Sequence, residues 1–510
     1  MQKLKTKKMS TFQRYFNQED IFSSERFFLS AYRSAILGRS AILGRMKRWL
    51  HLNSGLLPEN KCTSEKKIAE VSWSNGVPFF PPSNKYWRIG GKWYDLSDFL
   101  DKHPGGASIL LTARDRFEDC TFVFESHHHD FTRARAVICK YEVPEKVALQ
   151  KVHCRPSRDD KRANIHHDKV LDTNRSPALL DNQAFYSVLR KRVTDYLRAI
   201  DNPQGLPTWE CIILFWSIFT CWLCLGYATW FLGSYEIALL WGISAAWLGA
   251  FGHNWVHHPQ YKKWGWALLS LDTVGFSSSN WFRQHVLQHH MYTNSPWDNH
   301  FEGTDPFLKT DPTVERSYLQ KHISPYINPV LLSFGLYVNY IAHTRELIKG
   351  NETFSIGKLF LPLQFLVMLS RWGFRGFLLL YTAHAILGMY YFTMALMNHN
   401  ASHCMDVKTR NECKDWGIMQ MQTSADWGVG LSFRQAIVYL WLNFHTVHHL
   451  FPKVDFSHHP AIQKILIQTC KDFTVDYHSN SPIEIYKQMI RSFASPLALM
   501  EEITVYARTI

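Results

Sequence analysis

From Cys211 to Tyr235 the chain carries no Asp, Glu, Lys or Arg, and Glu210 and Glu236 close the run at its ends. About 20 apolar residues cross a hydrocarbon core as a helix. A backbone in lipid must satisfy its own N–H and C=O groups, which leaves only helices and closed barrels. The run therefore predicts a membrane-spanning helix. Ile237 to Gly252 is a second, shorter uncharged run, and Gly376 to Met405 is a third with no charge other than His. Leu359 to Ser370 is apolar but short, and spans only if Lys358, Arg371 and Arg375 extend their charged ends to the headgroups. The spacing predicts two helical hairpins, over about 209–252 and 357–397, and so four transmembrane helices. An even number returns both termini to one side. Ser324 to Tyr340, apolar with polar breaks, reads as lying in the interface.

Much of the remaining chain is soluble in character, since mean hydropathy is only −0.20. A length of 510 residues allows two or three domains. The net charge of +13 suits basic loops beside an anionic cytoplasmic leaflet and does not require nucleic acid. The ten Cys are scattered and suggest no disulfide framework, which fits a reducing cytosol. Cys221 and Cys224 fall inside an apolar run, so they read as buried thiols, not as a redox or zinc pair. Residues 1–70 are basic and contain a direct repeat, Ser34 to Arg39 and Ser40 to Arg45. The acid-free start weakly resembles a transit peptide, but a disordered extension is the expectation. Residues 71–145 read as a small α+β domain, and 146–204 as a linker with a membrane-surface helix. Residues 205–475 form the membrane domain, and 476–510 a tail.

The string Tyr94-Asp-Leu-Ser-Asp-Phe-Leu-Asp-Lys-His103-Pro-Gly-Gly106 sets an imidazole at a sharp turn. Pro104 fixes φ, and two glycines permit a tight bend with nothing bulky against a flat macrocycle. Imidazole is an axial haem ligand. Trp73 to Val143 resembles the cytochrome b5 family, which implies haem b held by two His. The first carries over to His103. For the second, counting from Phe124 gives His128 and counting from His103 gives His127. We take His128, with His127 the alternative.

Three denser His constellations follow. They are His253-Asn-Trp-Val-His257-His258, His285-Val-Leu-Gln-His289-His290 and His445-Thr-Val-His448-His449, with a looser His399-Asn-Ala-Ser-His403. Residues i and i+4 share a helix face, so His253/His257, His285/His289 and His445/His449 can each converge. An adjacent His is rotated by about 100°, so a doublet can reach two neighbouring metals. Eight or nine imidazoles are too many for one ion and suit two irons. Zinc needs three or four ligands, often with Cys or a Glu, and no His-Glu-x-x-His occurs. The Glu-x-x-His pairs of soluble di-iron bundles are also missing. A lone His such as His384 reads as structural.

With these clusters, residues 205–460 resemble the membrane fatty acid desaturase superfamily. The order of domains resembles front-end desaturases fused to cytochrome b5. Gly252-His-Asn-Trp-Val-His, Trp266-Ala-Leu-Leu-Ser-Leu-Asp-Thr-Val-Gly-Phe and His289-His-Met-Tyr-Thr-Asn-Ser-Pro-Trp-Asp resemble the insect cytochrome b5-related group. The resemblance implies a multi-domain protein: an α+β haem domain, then an all-α membrane domain with four transmembrane helices and a cytosolic cap of His boxes. It implies two non-haem iron ions held by His253, His257, His285, His289, His290, His399, His445, His448 and His449. His403 competes with His399, and His258 is an extra, outer residue. No catalytic residue is expected beyond the ligands. The family's first box opens His-Asp, where this chain has His253-Asn254, which removes an outer partner for imidazole. The front-end third box opens with Gln, where this chain has His445, so regioselectivity does not carry over.

The implied reaction is O2-dependent desaturation of a long acyl chain, as acyl-CoA or acyl-lipid. Electrons come from an NADH-dependent cytochrome b5 reductase through the haem. The implied place is the endoplasmic reticulum membrane, with both termini and all boxes cytosolic and no nucleic-acid partner. Trp255, Trp281 and Trp441 are candidates for lining an acyl tunnel. Two other readings stand beside this one. One is a lipid or sphingolipid hydroxylase or desaturase on the same scaffold. The other is a haem electron carrier with an inactive di-iron domain, suggested by Asn254.

Overall fold

The computed structural model describes residues 85–148 and 184–495, apart from 117–119, 129–130, 259–264, 291–292, 295–297, 299–303, 305, 311–313, 349–353 and 406–414. The basic extension, most of the linker, His129 and the end of the tail lie outside the described residues. All described residues belong to one compact unit.

The first part is built on a small antiparallel sheet. Strands β1 (Trp87–Ile89) and β2 (Lys92–Tyr94) are joined through Gly90 and Gly91, both at positive φ, where a side chain would be strained. Strand β3 (Glu142–Val143) pairs with β2 and returns the chain to the sheet. Helices α1 (Ala107–Arg116), α2 (Thr121–His127) and α3 (Phe131–Ile138) complete the α+β unit. Its core is Trp87, Ile89, Leu96, Ile109, Val123, Phe124 and Ile138. The indole N–H of Trp87 donates to the Leu110 carbonyl at 2.7 Å, tying sheet to helix.

Helix α4 (Phe185–Ala199) buries Phe185, Leu189 and Val193 on one stripe, and its Arg192 pairs with Asp472 at 2.6 Å. Helix α5 (Trp209–Leu232) begins where the Thr208 hydroxyl accepts from Cys211 N, and ends at Gly233 with φ 66°. Ser234 then caps α6 (Tyr235–Trp255). Helix α7 (Gly335–Ile348) precedes α8 (Phe360–Trp372), and Gly373 with φ 52° turns the chain into α9 (Phe374–Met397). Helices α5, α6 and α9 are long and apolar enough to cross a membrane. Helix α8 has 13 residues and turns Leu363, Leu366 and Val367 outward.

Helix α6 is the central one, packed on α5 and α9. A Cβ at Gly242 would lie 2.3 Å from the Ala383 carbonyl oxygen, so a missing side chain allows α6 and α9 to touch. Cys221 and Cys224 are exposed on α5 and not buried as expected. The reason is that α5 is an outer helix, with only its Phe215, Ile218 and Trp222 face turned inward. In the 324–340 segment, Tyr326, Val330, Phe334 and Val338 are exposed while Leu332 and Leu336 are buried. The segment is two-faced and packs on α9.

Between α6 and α7 the chain forms a π-helix (Phe282–His289), and after α9 it forms α10 (Trp416–Gln422), α11 (His445–Leu450), α12 (His459–Asp472) and α13 (Pro482–Ala494). Strands β4 (Asp426–Trp427) and β5 (Ser479–Asn480) pair in parallel. Buried Asp426 fixes the start of α11. Its carboxylate accepts from Thr446 N at 2.8 Å, Gln463 Nε2 at 3.1 Å and Tyr477 OH at 2.5 Å.

Candidate metal centre and haem site

His253 stands in the last turn of α6, and His399 lies just past the end of α9. The π-helix and α11 supply the other two constellations. Two groups result, His257, His285, His290 and His448, and His289, His399, His445 and His449. In each group the ligand atoms all lie within 4.8 Å of one another. In the first group His290 Nε2 lies 3.1 Å from Nε2 of His285 and 3.1 Å from that of His448. In the second, His399 Nε2 lies 3.0 Å from His289 Nε2 and 2.8 Å from His445 Nε2. His445 and His449 approach to 3.2 Å. Metal–imidazole bonds of about 2.1 Å place neighbouring ligand nitrogens roughly 3.0–3.4 Å apart, so each group has the spacing of a coordination shell. The His253 ring lies 4.3 Å from His285 and 4.5 Å from His448, flanking the first group.

The second constellation departs from the expected pairing. His285 and His289 do not converge; His285 joins His290, and His289 enters the other group. A π-helix widens the turn, which brings i and i+5 onto one face. The doublets His289-His290 and His448-His449 each send one ring to each group.

Burial holds His257, His285, His290, His445, His448 and His449 well below the ordinary imidazole value, and neighbouring rings lower them further. Burial takes His289 and His399 down to about 3. The rings are therefore neutral and present lone pairs. Neither nitrogen of buried His257 has a hydrogen-bond partner. Lone pairs converging in a dry site repel unless a cation lies between them, so the residues fit a bound metal pair.

Outer groups aim three of the rings. His289 Nδ1–H donates to Asp298 at 2.9 Å, His399 Nδ1–H to the Thr423 carbonyl at 2.7 Å, and His449 Nδ1–H to Gln420 at 3.1 Å. Each bond leaves Nε2 facing inward. Sequence reasoning assigned none of these partners; Asp298 was visible as an acid nine residues after His289, but the other two are distant in sequence. His403 points elsewhere, with Nε2 donating to the Ser424 carbonyl at 2.8 Å and its ring stacked on His478 at 4.1 Å. His258 is buried and belongs to neither group. Asn254 does not face a ligand ring. Its amide donates to the Val454 carbonyl and accepts from Phe456 N, both at 3.3 Å, so it pins the chain leaving the third box.

Of the three tryptophans expected to line a tunnel, only Trp281 lies against the site, 5.5 Å from His285. Trp255 and Trp441 pack on Phe251 within the core. Their indoles are satisfied by Asp455 at 2.8 Å and the Phe433 carbonyl at 2.7 Å.

In the α+β unit, the His103 and His128 rings face each other with centroids 6.1 Å apart. Two imidazoles on opposite sides of one iron, with bonds of about 2 Å, give roughly that separation. His103 Nδ1–H donates to the Gly106 carbonyl at 3.0 Å, and His128 Nδ1–H to that of Phe124 at 2.7 Å. A Cβ on Gly105 would lie 2.9 Å from His103 Cε1, so the glycine makes room for the ring itself. His127 turns the other way. It lines a crevice with Val123 and Ser126, opposite His290, Trp416, His449 and Pro452. Burial takes His128 to about 3 and lowers His103, and the charge of Lys453 lowers both further.

Comparison with known proteins agrees with this geometry. Residues 225–481 match the family model described as Fatty acid desaturase, and 68–147 match the Cytochrome b5-like Heme/Steroid binding domain. This chain belongs to the fatty acid desaturase family. It is 26% identical to the Cytochrome b5-related protein of Drosophila melanogaster, over 84% of this chain and 94% of that one. It is 29% identical to the Acyl-lipid (8-3)-desaturase of Physcomitrium patens, over 82% and 88% of the two chains. It is 23% identical to the Delta(5) fatty acid desaturase A of Dictyostelium discoideum, over 82% and 92%. The desaturase is thus an oxidoreductase with a fused haem domain, and its two histidine groups fit a non-haem di-iron centre.

Proposed function

We propose that this chain is a four-span membrane desaturase that introduces a double bond into a long fatty acyl chain, as acyl-CoA or acyl-lipid, using O2. Electrons are drawn from NADH by a separate cytochrome b5 reductase and pass through the chain's own haem. The observation that carries the reading is the pair of four-histidine groups assembled where α6 and α9 end. His257, His285, His290 and His448, with His253 beside them, would hold one iron, and His289, His399, His445 and His449 the other. His103 and His128 hold the haem. The acyl substrate is supported by the Physcomitrium patens and Dictyostelium discoideum relatives, one named an acyl-lipid desaturase and the other a fatty acid desaturase.

The fourth span is α8, lengthened by the flanking turn Ile356–Leu359; in its last turn the Arg371 guanidinium donates to the Phe231 carbonyl at 3.2 Å. With four spans, the termini and the His boxes share the cytosolic side of the endoplasmic reticulum membrane. When bound, the iron pair supplies O2 activation and hydrogen abstraction from adjacent methylenes. The chain's part is to keep the rings neutral and aimed. Asp298, Thr423 and Gln420 hold protons at Nδ1, so that Nε2 stays a ligand atom. The packed wall around Trp281 keeps water from the reacting centre.

The test is expression in a desaturase-deficient yeast with lipid analysis by mass spectrometry, alongside metal analysis of the purified protein. New unsaturated chains and about two non-haem irons per chain are expected, both lost in His289→Ala or His448→Ala. A hydroxylated product, or haem iron alone, would replace this reading.

A further inference from the structure

The histidine tract at the end of α2 divides its duties. His128 faces His103 at 6.1 Å, while His127, one peptide bond away, faces the crevice walled by His290 and His449. His290 belongs to one metal group and His449 to the other. The crevice is small, with room for roughly one water molecule at its centre, and these residues share its walls. His127 is buried and held in place, its Nδ1–H donating to the Val123 carbonyl at 3.0 Å. Two further observations place the same surfaces together. Helix α1 packs on the π-helix that carries the second box. Lys453, four residues after His449, is close enough for its charge to be felt at both His103 and His128.

We propose that His127 is the contact through which electrons pass from the haem domain to the paired metal site. This rests on the haem and di-iron assignments above. An electron leaving ferrous haem by way of His128 crosses a single peptide unit to His127, then the crevice to His290 or His449. Haem iron is oxidised from ferrous to ferric, and one non-haem iron is reduced from ferric to ferrous. Two such passages, with two protons and the two hydrogens taken from the acyl chain, reduce one O2 to two waters. His127 is a positioning residue: it touches neither haem iron nor substrate, and it closes the gap between two ligand sets.

The experiment uses the full chain, loaded with haem and ferric non-haem iron, in lipid nanodiscs without O2. A light-pulsed deazaflavin reduces the haem, and decay of the ferrous haem band is followed. In the native protein the decay should require non-haem iron, disappearing when that iron is stripped. In His127→Ala it should slow by about tenfold or more, with the resting haem spectrum and non-haem iron content unchanged. His127→Gln, which keeps polarity and bulk, should slow it likewise and covers the case in which alanine disrupts the domain. An unchanged decay in either variant overturns the proposal. So does loss of the haem spectrum on substitution, which would make His127 an axial ligand. Absence of non-haem iron from the native protein would instead sink the di-iron reading.

Discussion

Asp298 holds His289 by a 2.9 Å hydrogen bond in a site where both side chains are buried. The same carboxylate accepts from Asn294 N at 3.0 Å, so it is itself fixed. Asp298→Ala removes the group that orients the ring. Iron affinity should fall by about 10- to 100-fold, with haem content unaltered. Equilibrium dialysis against a graded iron chelator measures this, and native-like iron retention would show that Asp298 is only a structural anchor.

The histidine groups also set a pH dependence for the protein stripped of iron. Burial puts the folded values of His289 and His399 at about 3, against an ordinary value of 6.5. The unfolded chain then binds more protons between those limits, so folding stability rises with pH across that window. It should be flat above roughly pH 7 and fall as pH drops from 6.5 towards 3. Thermal unfolding of the stripped protein in detergent, scanned across this range, is the measurement. A melting temperature that rises on acidification would contradict the neutral-ring picture.

Gly105→Ala should weaken haem binding although both axial histidines remain in the chain. The new Cβ would meet His103 Cε1 at 2.9 Å and force the ring to move. We expect haem affinity to drop by about tenfold. Haem absorbance per chain at equal protein concentration reads it out, and full occupancy would mean that the loop yields.

Lys453→Gln should lower the reduction potential of the haem. A cation beside the ligand rings favours the reduced iron, which carries one positive charge less, so removing it favours the ferric form. The shift should be on the order of tens of millivolts. Spectroelectrochemical titration decides; an unmoved or raised potential means that Lys453 lies too far from the macrocycle to matter.

Much of this was legible in sequence because the signals are local. The uncharged run after Glu210 became α5, and the turn at His103 put an imidazole where a haem ligand belongs. The i,i+4 pairing of His445 with His449 also reads directly from spacing. What was not legible depends on backbone geometry or distant contacts. Nothing in Phe282 to His289 announces a π-helix, so the partner of His285 was misplaced by one residue. Gln420 and Thr423 reach the site only because β4 and α11 are drawn together at Asp426. Cys221 and Cys224 face outward from an apolar run, because apolar neighbours mark lipid-facing and core-facing positions alike.

The doublets His289-His290 and His448-His449 each lend one ring to either metal group, across a single peptide unit. A chain with only one ion seated would leave half of each doublet unsatisfied, and the distortion would be transmitted directly to its twin. Loading should therefore be cooperative, with half-filled chains scarce. Native mass spectrometry during an iron titration should show mainly empty and doubly loaded species, and a prominent singly loaded population would mean that the two halves fill independently.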